Sequence, residues 1–257
     1  MHLETIRRTS TAAGRAQTGL FNVEGTRLVE RAVRAGAELV GVVTTAVYPT
    51  QSPRHQTLLD DLAAHAVPIT QIAPTAMAQL TQGRQLGDII GLVRLPDTAE
   101  CLGGDPLLLL VAVDVVDPGN VGALVRTAHA LGATAVIAIG SSDPFHPKAV
   151  RTSMGSLFKM PICHFATAAD FLAVCQQQQI ATAATVATGG TLLPQANLPA
   201  KRLAVLLGNE YWGLPEELLT AVTHRLTIPM SDGIDSFSVN AAAAIVLYEI
   251  KRLAIGD

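Results

Sequence analysis

Residues 107–132 have the sequence LLLLVAVDVVDPGNVGALVRTAHALG, in which an apolar run, a turn and a helical pattern follow one another. A near-continuous aliphatic run is typical of a parallel strand that is covered on both faces. Asn120 is a good candidate for the N-cap of the following helix, and Gly132 is a good candidate for its end. Arg126 lies on the polar side of this helix, near a loop that follows a strand. It is either a surface charge or part of a ligand site, because ligands of α/β folds bind at the carboxyl ends of strands.

The same alternation of strand and helix continues on both sides of this stretch, which predicts an α/β fold. In the C-terminal part we predict strands at 107–113, 134–140, 180–186, 203–207 and 225–229, and helices at 120–131, 167–178, 215–222 and 237–254. In the N-terminal part we predict strands at 19–25, 39–45, 67–72 and 88–95, and helices at 25–36, 54–65 and 75–81. Turn residues between them predict a boundary near residue 100, which gives domains 1–100 and 101–257.

A second junction of strand and helix lies in LAVLLGNEYWGLPEELL, residues 203–219. A buried strand ends at Gly208, and glycine allows the backbone to approach a ligand closely. Glu210 follows directly, and it is either an ordinary turn carboxylate or a functional group at the end of a buried strand.

A third junction lies in RLTIPMSDGIDSFSVN, residues 225–240, which precedes an alanine-rich helix. Ser236 either caps this helix or touches a substrate. Met230 either fills the core or contacts a ligand. Three junctions of matching character in one domain predict a shared pocket.

Composition limits the class of protein. The chain has 257 residues, of which 49% are hydrophobic and 15% charged, so a folded core is expected. No apolar run approaches the roughly 20 residues that cross a bilayer, and no signal peptide is visible, so we expect a cytoplasmic protein. Cys101, Cys163 and Cys175 form no close pair in the sequence and predict separate thiols in a reducing compartment. No spacing of histidine, cysteine and carboxylate predicts a metal site.

Charge and missing motifs limit the ligands. The net charge of −3 counts mildly against a nucleic-acid partner, although basic residues cluster in the first 34 residues and in 146–159. These clusters are either phosphate-binding patches or ordinary solvated charges. The glycine patterns of dinucleotide and phosphate loops are absent, which argues against a nucleotide-dependent oxidoreductase.

The three junctions resemble, in order, the signature motifs of the SpoU (TrmH-type) RNA 2′-O-ribose methyltransferases of the SPOUT superfamily. The matching residues are Asn120, Gly122 and Arg126; Gly208, Asn209, Glu210 and Gly213; and Ile228, Pro229, Met230, Ser236 and Val239. Residues 146–161 resemble the segment between the first two motifs, and residues 21–36 resemble the opening of an L30e-like substrate-binding domain. The third motif departs from the family, which has asparagine where Ser238 stands and a small residue where Asn240 stands.

The resemblance implies a catalytic domain with a C-terminal trefoil knot, S-adenosylmethionine as cofactor, and a homodimer that acts on RNA, ribosomal RNA more than transfer RNA. It implies that Arg126 activates the ribose hydroxyl, that Asn120 and Ser236 orient the reacting groups, and that Glu210 anchors Arg126 or the pocket loop. The implied cofactor contacts are Leu207, Gly208, Asn209, Gly213, Ile228, Met230, Ser238 and Val239. The exchange of Ser238 and Asn240 favours the rival hypothesis, an RNA-binding member of the fold without catalysis.

Overall fold

The chain forms two compact units. The structure, a computed structural model, describes residues 3–84, 87–97, 101–199 and 201–255. The N-terminal unit comprises Met1–Pro96 together with Phe145–Phe158, and the C-terminal unit comprises Asp97–Pro144 and Lys159–Asp257. The boundary predicted near residue 100 falls on residues 98–100, which lie outside the described residues.

The N-terminal unit contains a four-stranded sheet in the order β1-β4-β2-β3. Strand β4 runs antiparallel to β1 and β2, whereas β2 and β3 are parallel. The strands are β1 (Leu20–Glu24), β2 (Leu39–Thr45), β3 (Ile69–Ile72) and β4 (Ile89–Arg94). The helices are α1 (Leu3–Arg8), α2 (Ala12–Thr18), α3 (Thr26–Arg34), α4 (Pro53–Ala64) and α5 (Pro74–Leu80), with a 3-10 turn at Tyr48–Gln51.

The C-terminal unit is built on seven parallel strands in the order β7-β6-β5-β10-β8-β11-β9. The strands are β5 (Leu107–Val113), β6 (Ala135–Ile139), β7 (Ile162–Phe165), β8 (Ala181–Thr185), β9 (Thr191–Leu192), β10 (Arg202–Leu207) and β11 (His224–Thr227). The helices of this unit are α6 (Pro118–Leu131), α8 (Ala168–Gln177), α9 (Glu216–Ala221) and α10 (Val239–Ile255), with a 3-10 turn at Leu193–Gln195. Helix α7 (Pro147–Thr152) and the 3-10 turn at Ser156–Phe158 belong to the N-terminal unit. The strand order reverses between β5 and β10, so their carboxyl ends form a topological switch point.

Apolar patterning explains the buried strands. Every residue of β6 is buried, and β5 and β10 are buried along almost their whole length. Helix α6 packs Val121, Leu124 and Val125 into the core. All the predicted strands and helices are confirmed to within a few residues, whereas β7, β9, α1, α2 and α7 were not predicted. These missed elements have two to seven residues, too few for a clear hydrophobic period.

Two helix starts differ from prediction. Helix α6 begins at Pro118, and its N-cap is Asp117, whose carboxylate accepts a hydrogen bond from the Asn120 backbone N–H. The predicted N-cap role of Asn120 is therefore wrong. Proline is favoured at the first position of a helix, so α6 begins at Pro118, two residues before Asn120. Helix α10 begins at Val239, so Ser236 is not its cap either.

The cysteine prediction was wrong for two of the three residues. Cys101 and Cys163 form a disulfide, with their Cα atoms 6.0 Å apart, although they are 62 positions apart in the sequence. Cys163 lies in β7 and Cys101 lies before β5, so only tertiary packing brings the two side chains together, and sequence spacing cannot reveal the pairing. Cys175 is a free, buried thiol as expected, and burial raises its pKa to about 12. Among the described helices, none is both long and apolar enough to span a membrane.

Candidate active site

A cavity of about 750 Å³ opens at the carboxyl ends of β8, β10 and β11. The loops after these three strands line it, together with Asn120 from the first turn of α6. All the expected cofactor contacts lie in its wall: Leu207, Gly208, Asn209, Gly213, Ile228, Met230, Ser238 and Val239. Asn120, Glu210 and Ser236 line it too, whereas Arg126 does not. The three predicted junctions thus converge on one cavity.

The loop after β8 also lines this cavity, and sequence reasoning missed it. Its contribution runs from Thr185 to Gly189. The signal that could have found it is the Gly189-Gly190 pair directly after a predicted strand. The residues of β8 are mostly alanine and threonine, so this junction stands out less than the other three.

The turn after β10 is held in one conformation by Asn209. Its backbone N–H donates to the Gly213 carbonyl at 3.0 Å, and the Gly213 N–H donates back at 2.9 Å. Its side-chain Oδ1 accepts from the Tyr211 and Trp212 backbone N–H groups at 2.8 and 3.1 Å. Its Nδ2 donates to the Asp114 carbonyl at the end of β5, at 2.9 Å. One asparagine therefore shapes the turn and ties it to the neighbouring strand.

Glycine is required at the start of this turn. A Cβ atom on Gly208 would lie 2.3 Å from the carbonyl carbon of Gly213, closer than any real contact. Gly213 has a φ of 68°, in the left-handed region that favours glycine. The turn closes tightly only because neither position carries a side chain.

The Glu210 carboxylate holds the loop after β5. It accepts hydrogen bonds from the backbone N–H groups of Val116 and Asp117 at 3.1 and 3.2 Å, and from Asn120 Nδ2 at 2.8 Å. Burial alone would raise its pKa, but the bonds from Asn120 and from the backbone outweigh burial, so the pKa lies below its usual value. Glu210 is therefore ionised at neutral pH and anchors the pocket loop, one of the two roles expected of it.

Asn240 extends this network to the third loop. Its Nδ2 donates to Asn120 Oδ1 at 2.9 Å, while its own Oδ1 is buried without a partner among the described atoms. Ser238 stands directly before α10, and its hydroxyl accepts from the Ala241 backbone N–H at 3.4 Å. The exchanged residues thus have separate contacts: Asn240 joins Glu210 and Asn120, and Ser238 lies at the helix start.

Arg126 lies on the exposed side of α6. Within the described part of the chain its guanidinium has no ion pair or hydrogen bond, and Glu210 does not contact it. Of the two alternatives expected for Glu210, the contact with Arg126 is therefore not formed among the described residues. The described residues also contain no group of three or more histidine, cysteine or carboxylate side chains that could hold a metal ion.

Comparison with known proteins identifies the family of the chain. The SpoU rRNA Methylase family matches residues 107–248, which is more than half of the chain. The chain belongs to the SpoU rRNA methylase family. The MRM3-like substrate binding domain matches residues 3–90, so this SpoU chain carries a substrate-binding domain before its catalytic domain. The predicted α/β fold class and the family resemblance are both confirmed.

Relatives and solved structures align with three quarters or more of the SpoU chain. A Mycobacterium tuberculosis protein named uncharacterized tRNA/rRNA methyltransferase Rv0881 is 33% identical over 205 residues, 76% of this chain and 70% of the relative. The Bacillus subtilis 23S rRNA (guanosine(2553)-2′-O)-methyltransferase RlmP is 26% identical over 243 residues, 94% of this chain and 92% of the relative. An AdoMet-bound rRNA methyltransferase from Sinorhizobium meliloti superposes with a TM-score of 0.84 at 26% identity, covering 98% of this chain and 94% of that one.

Proposed function

We propose that this chain transfers a methyl group from S-adenosylmethionine to a ribose 2′-hydroxyl of ribosomal RNA. The observation that carries the proposal is the convergence of all three family motifs on one cavity at the carboxyl ends of parallel strands. The reaction in the name of RlmP supports the ribose hydroxyl as acceptor. Transfer RNA is the alternative substrate. Residues 1–100 form the RNA-binding domain and residues 101–257 the methyltransferase domain in this proposal.

The cavity suits S-adenosylmethionine in size and charge. Pockets for ligands of this size enclose roughly 300–1,000 Å³, and this one encloses about 750 Å³. The ionised Glu210 lies in its wall and favours a positively charged sulfonium. The bound cofactor supplies an activated methyl group. The loops 207–213 and 228–239 would hold the cofactor, and the backbone around 207–209 and 228–230 would hold its adenosine part.

We assign to Arg126 the role of activating the ribose hydroxyl. A hydroxyl is a poor nucleophile at neutral pH, so the protein has to orient and polarise it. A guanidinium keeps its proton in proteins and therefore acts by binding phosphate and stabilising the developing alkoxide. Because Arg126 is exposed and outside the cavity wall, the RNA or a second copy of the chain must complete the site.

A second copy of the chain is part of the proposal. An apolar depression of about 490 Å³ runs along α10, and Tyr248 beside it is 61% exposed. Its lining is almost entirely apolar: Leu131, Leu193, Pro194, Ile228, Pro229, Ala244, Ile245, Tyr248 and Glu249. Burying this face in a homodimer would remove apolar surface from water. We include the C-terminal trefoil knot of the family in the proposal.

Labelled methyl transfer tests the proposed function. The protein is incubated with methyl-labelled S-adenosylmethionine and total RNA from a strain that lacks the gene, and the label is mapped. We expect 2′-O-methyl nucleosides in ribosomal RNA, and little label in RNA from the parent strain, where the site is already modified. Label on a base would refute the proposed reaction, and label in transfer RNA alone would establish the alternative substrate. Cofactor binding by calorimetry without any transfer would support the non-catalytic rival.

A further inference from the structure

Two neighbouring aromatic side chains in the turn that carries Glu210 are exposed to solvent. Tyr211 is 82% exposed and Trp212 is 88% exposed. Aromatic residues make up only 4% of the chain, and Trp212 is its single tryptophan. Large rings usually contribute to stability by burial, so two adjacent exposed rings suggest a binding role.

Hydrogen bonds hold the backbone that carries these two rings. Asn209 Oδ1 accepts from both the Tyr211 and Trp212 N–H groups, and the turn is closed by the paired hydrogen bonds between Asn209 and Gly213. Both aromatic residues also line the reaction cavity. The rings therefore stand at the rim of the cavity on a turn that has little freedom to fold them away.

We propose that Trp212, together with Tyr211, stacks on an unpaired RNA base beside the methylated ribose. This inference rests on the proposed function. A ribose whose 2′-hydroxyl enters the cavity brings its base to the rim, because the base is bonded to the adjacent carbon of the sugar. Exposed aromatic rings are the usual platforms for unpaired RNA bases. The ionised Glu210 in the same turn repels phosphate, so a base is favoured there over the RNA backbone.

The fluorescence of Trp212 reports on this position alone, because the chain has no other tryptophan. We expect the RNA-free protein to emit like an indole in water and to be quenched readily by iodide. Titration with a single-stranded oligoribonucleotide of about 12 nucleotides should quench the emission and protect it from iodide. Equal quenching by S-adenosylmethionine alone would assign the ring to the cofactor and overturn the proposal. Blue-shifted, iodide-protected emission without RNA would assign it to a second copy and also overturn it.

Substitution gives an independent test. We expect Trp212→Ala to raise the KM for RNA by roughly 5- to 150-fold, which corresponds to the loss of one stacked base. Calorimetric affinity for S-adenosylmethionine should stay at the wild-type value, and Trp212→Phe should recover most of the loss. Gln176→Ala, which truncates an exposed side chain of α8 outside both the cavity wall and the proposed RNA-binding domain, is the control and should behave like wild type.

The outcomes separate this inference from the proposed function. A wild-type KM in folded Trp212→Ala, with circular dichroism unchanged, would refute stacking while methyl transfer still stood. No transfer by the wild-type protein to any RNA would refute the proposed function, and RNA-dependent quenching of Trp212 would then be judged separately. If Trp212→Ala fails to fold, Trp212→Phe and the quenching experiment still decide the question.

Discussion

At the scale of single residues, one carboxylate and two amides join the turn after β10 to the first turns of α6 and α10. Glu210 of the turn accepts from Asn120 of α6, and Asn240 of α10 donates to Asn120. Such a network is stable only while Glu210 remains ionised, because its carboxylate accepts every bond that it makes here. The pKa of Glu210 lies below its usual value for this reason.

The charge of Glu210 should therefore contribute to stability in a pH-dependent way. The pKa of Glu210 is lower in the folded state than its value near 4.5 in the unfolded state. The ionised carboxylate therefore stabilises the fold above the unfolded-state pKa, and this stabilisation is lost as the pH falls through the folded-state pKa. We expect Glu210→Gln to lower the free energy of unfolding by about 1 kcal/mol at neutral pH, and the difference to disappear in acid. Urea unfolding at several pH values measures it. Asp235→Asn, an exposed control, should change stability by less than about 0.5 kcal/mol; an equal effect would contradict the assignment.

Arg126 should matter for the reaction and not for the cofactor. We expect Arg126→Ala to lower the rate of methyl transfer by about 100-fold or more, because a stabilising donor is lost. Calorimetric binding of S-adenosylmethionine should stay near normal, since Arg126 is outside the cavity wall. A rate within a few-fold of wild type would rule out the role.

Mixing two inactive variants shows which copy supplies Arg126. If the arginine of one copy serves the cavity of the other, dimers formed from Arg126→Ala and Glu210→Ala chains regain one intact site. Activity restored on mixing would establish that Arg126 of one copy acts at the cavity of the other. Without restoration, in dimers shown by sedimentation to have exchanged subunits, Arg126 would serve its own chain.

At the scale of elements, a buried carboxylate joins β1 to the segment 145–158. Glu24, which is 5% exposed, accepts from Arg84 at 3.1 Å and from Arg151 of α7 at 3.1 Å. The rings of Phe145 and Phe158 pack on Phe21 of the same strand, with centroids 5.1 and 6.3 Å apart. This segment, distant in sequence, is therefore part of the N-terminal unit through both charge and packing.

Neutralising Glu24 should be costly, because two guanidinium groups would lose the carboxylate between them. We expect Glu24→Gln to lower the free energy of unfolding by about 2 kcal/mol or more. Glu38→Gln is the matched control, since Glu38 forms an exposed pair with Arg94 and its loss should cost less than about 1 kcal/mol. Chemical unfolding followed by circular dichroism compares the two, and equal losses would contradict the buried role of Glu24.

At the scale of the whole molecule, the number of reactive thiols tests whether the disulfide forms and whether the remaining cysteine is buried. The chain has three cysteines, of which Cys101 and Cys163 are disulfide-bonded and Cys175 is buried. Protein purified without reductant should show no thiol reaction when native, since burial raises the pKa of Cys175 to about 12. Unfolding should release one reactive thiol, and reduction should release all three. Three thiols in the unfolded, unreduced protein would show that the disulfide does not form.

The sequence by itself determined the fold class and the character of the site. Strands such as 107–113 and helices such as 118–131 can be recognised from the local spacing of apolar residues, because that spacing follows from the geometry of each element. The motif residues at Asn120, Glu210 and Ser236 lie at the ends of such elements, so their joint position at one edge of the sheet was predictable.

Only the tertiary structure decided which distant residues meet. The contact of Asn240 with Asn120, the disulfide between Cys101 and Cys163, and the addition of 145–158 to the N-terminal unit each join segments far apart in the chain. Strand order and crossover connections set these contacts, and no local period encodes them. The same reason explains why Glu210 holds the loop after β5 and does not contact Arg126, the other alternative. Helical spacing placed Arg126 on the polar face of α6, while tertiary packing decided which groups that face meets.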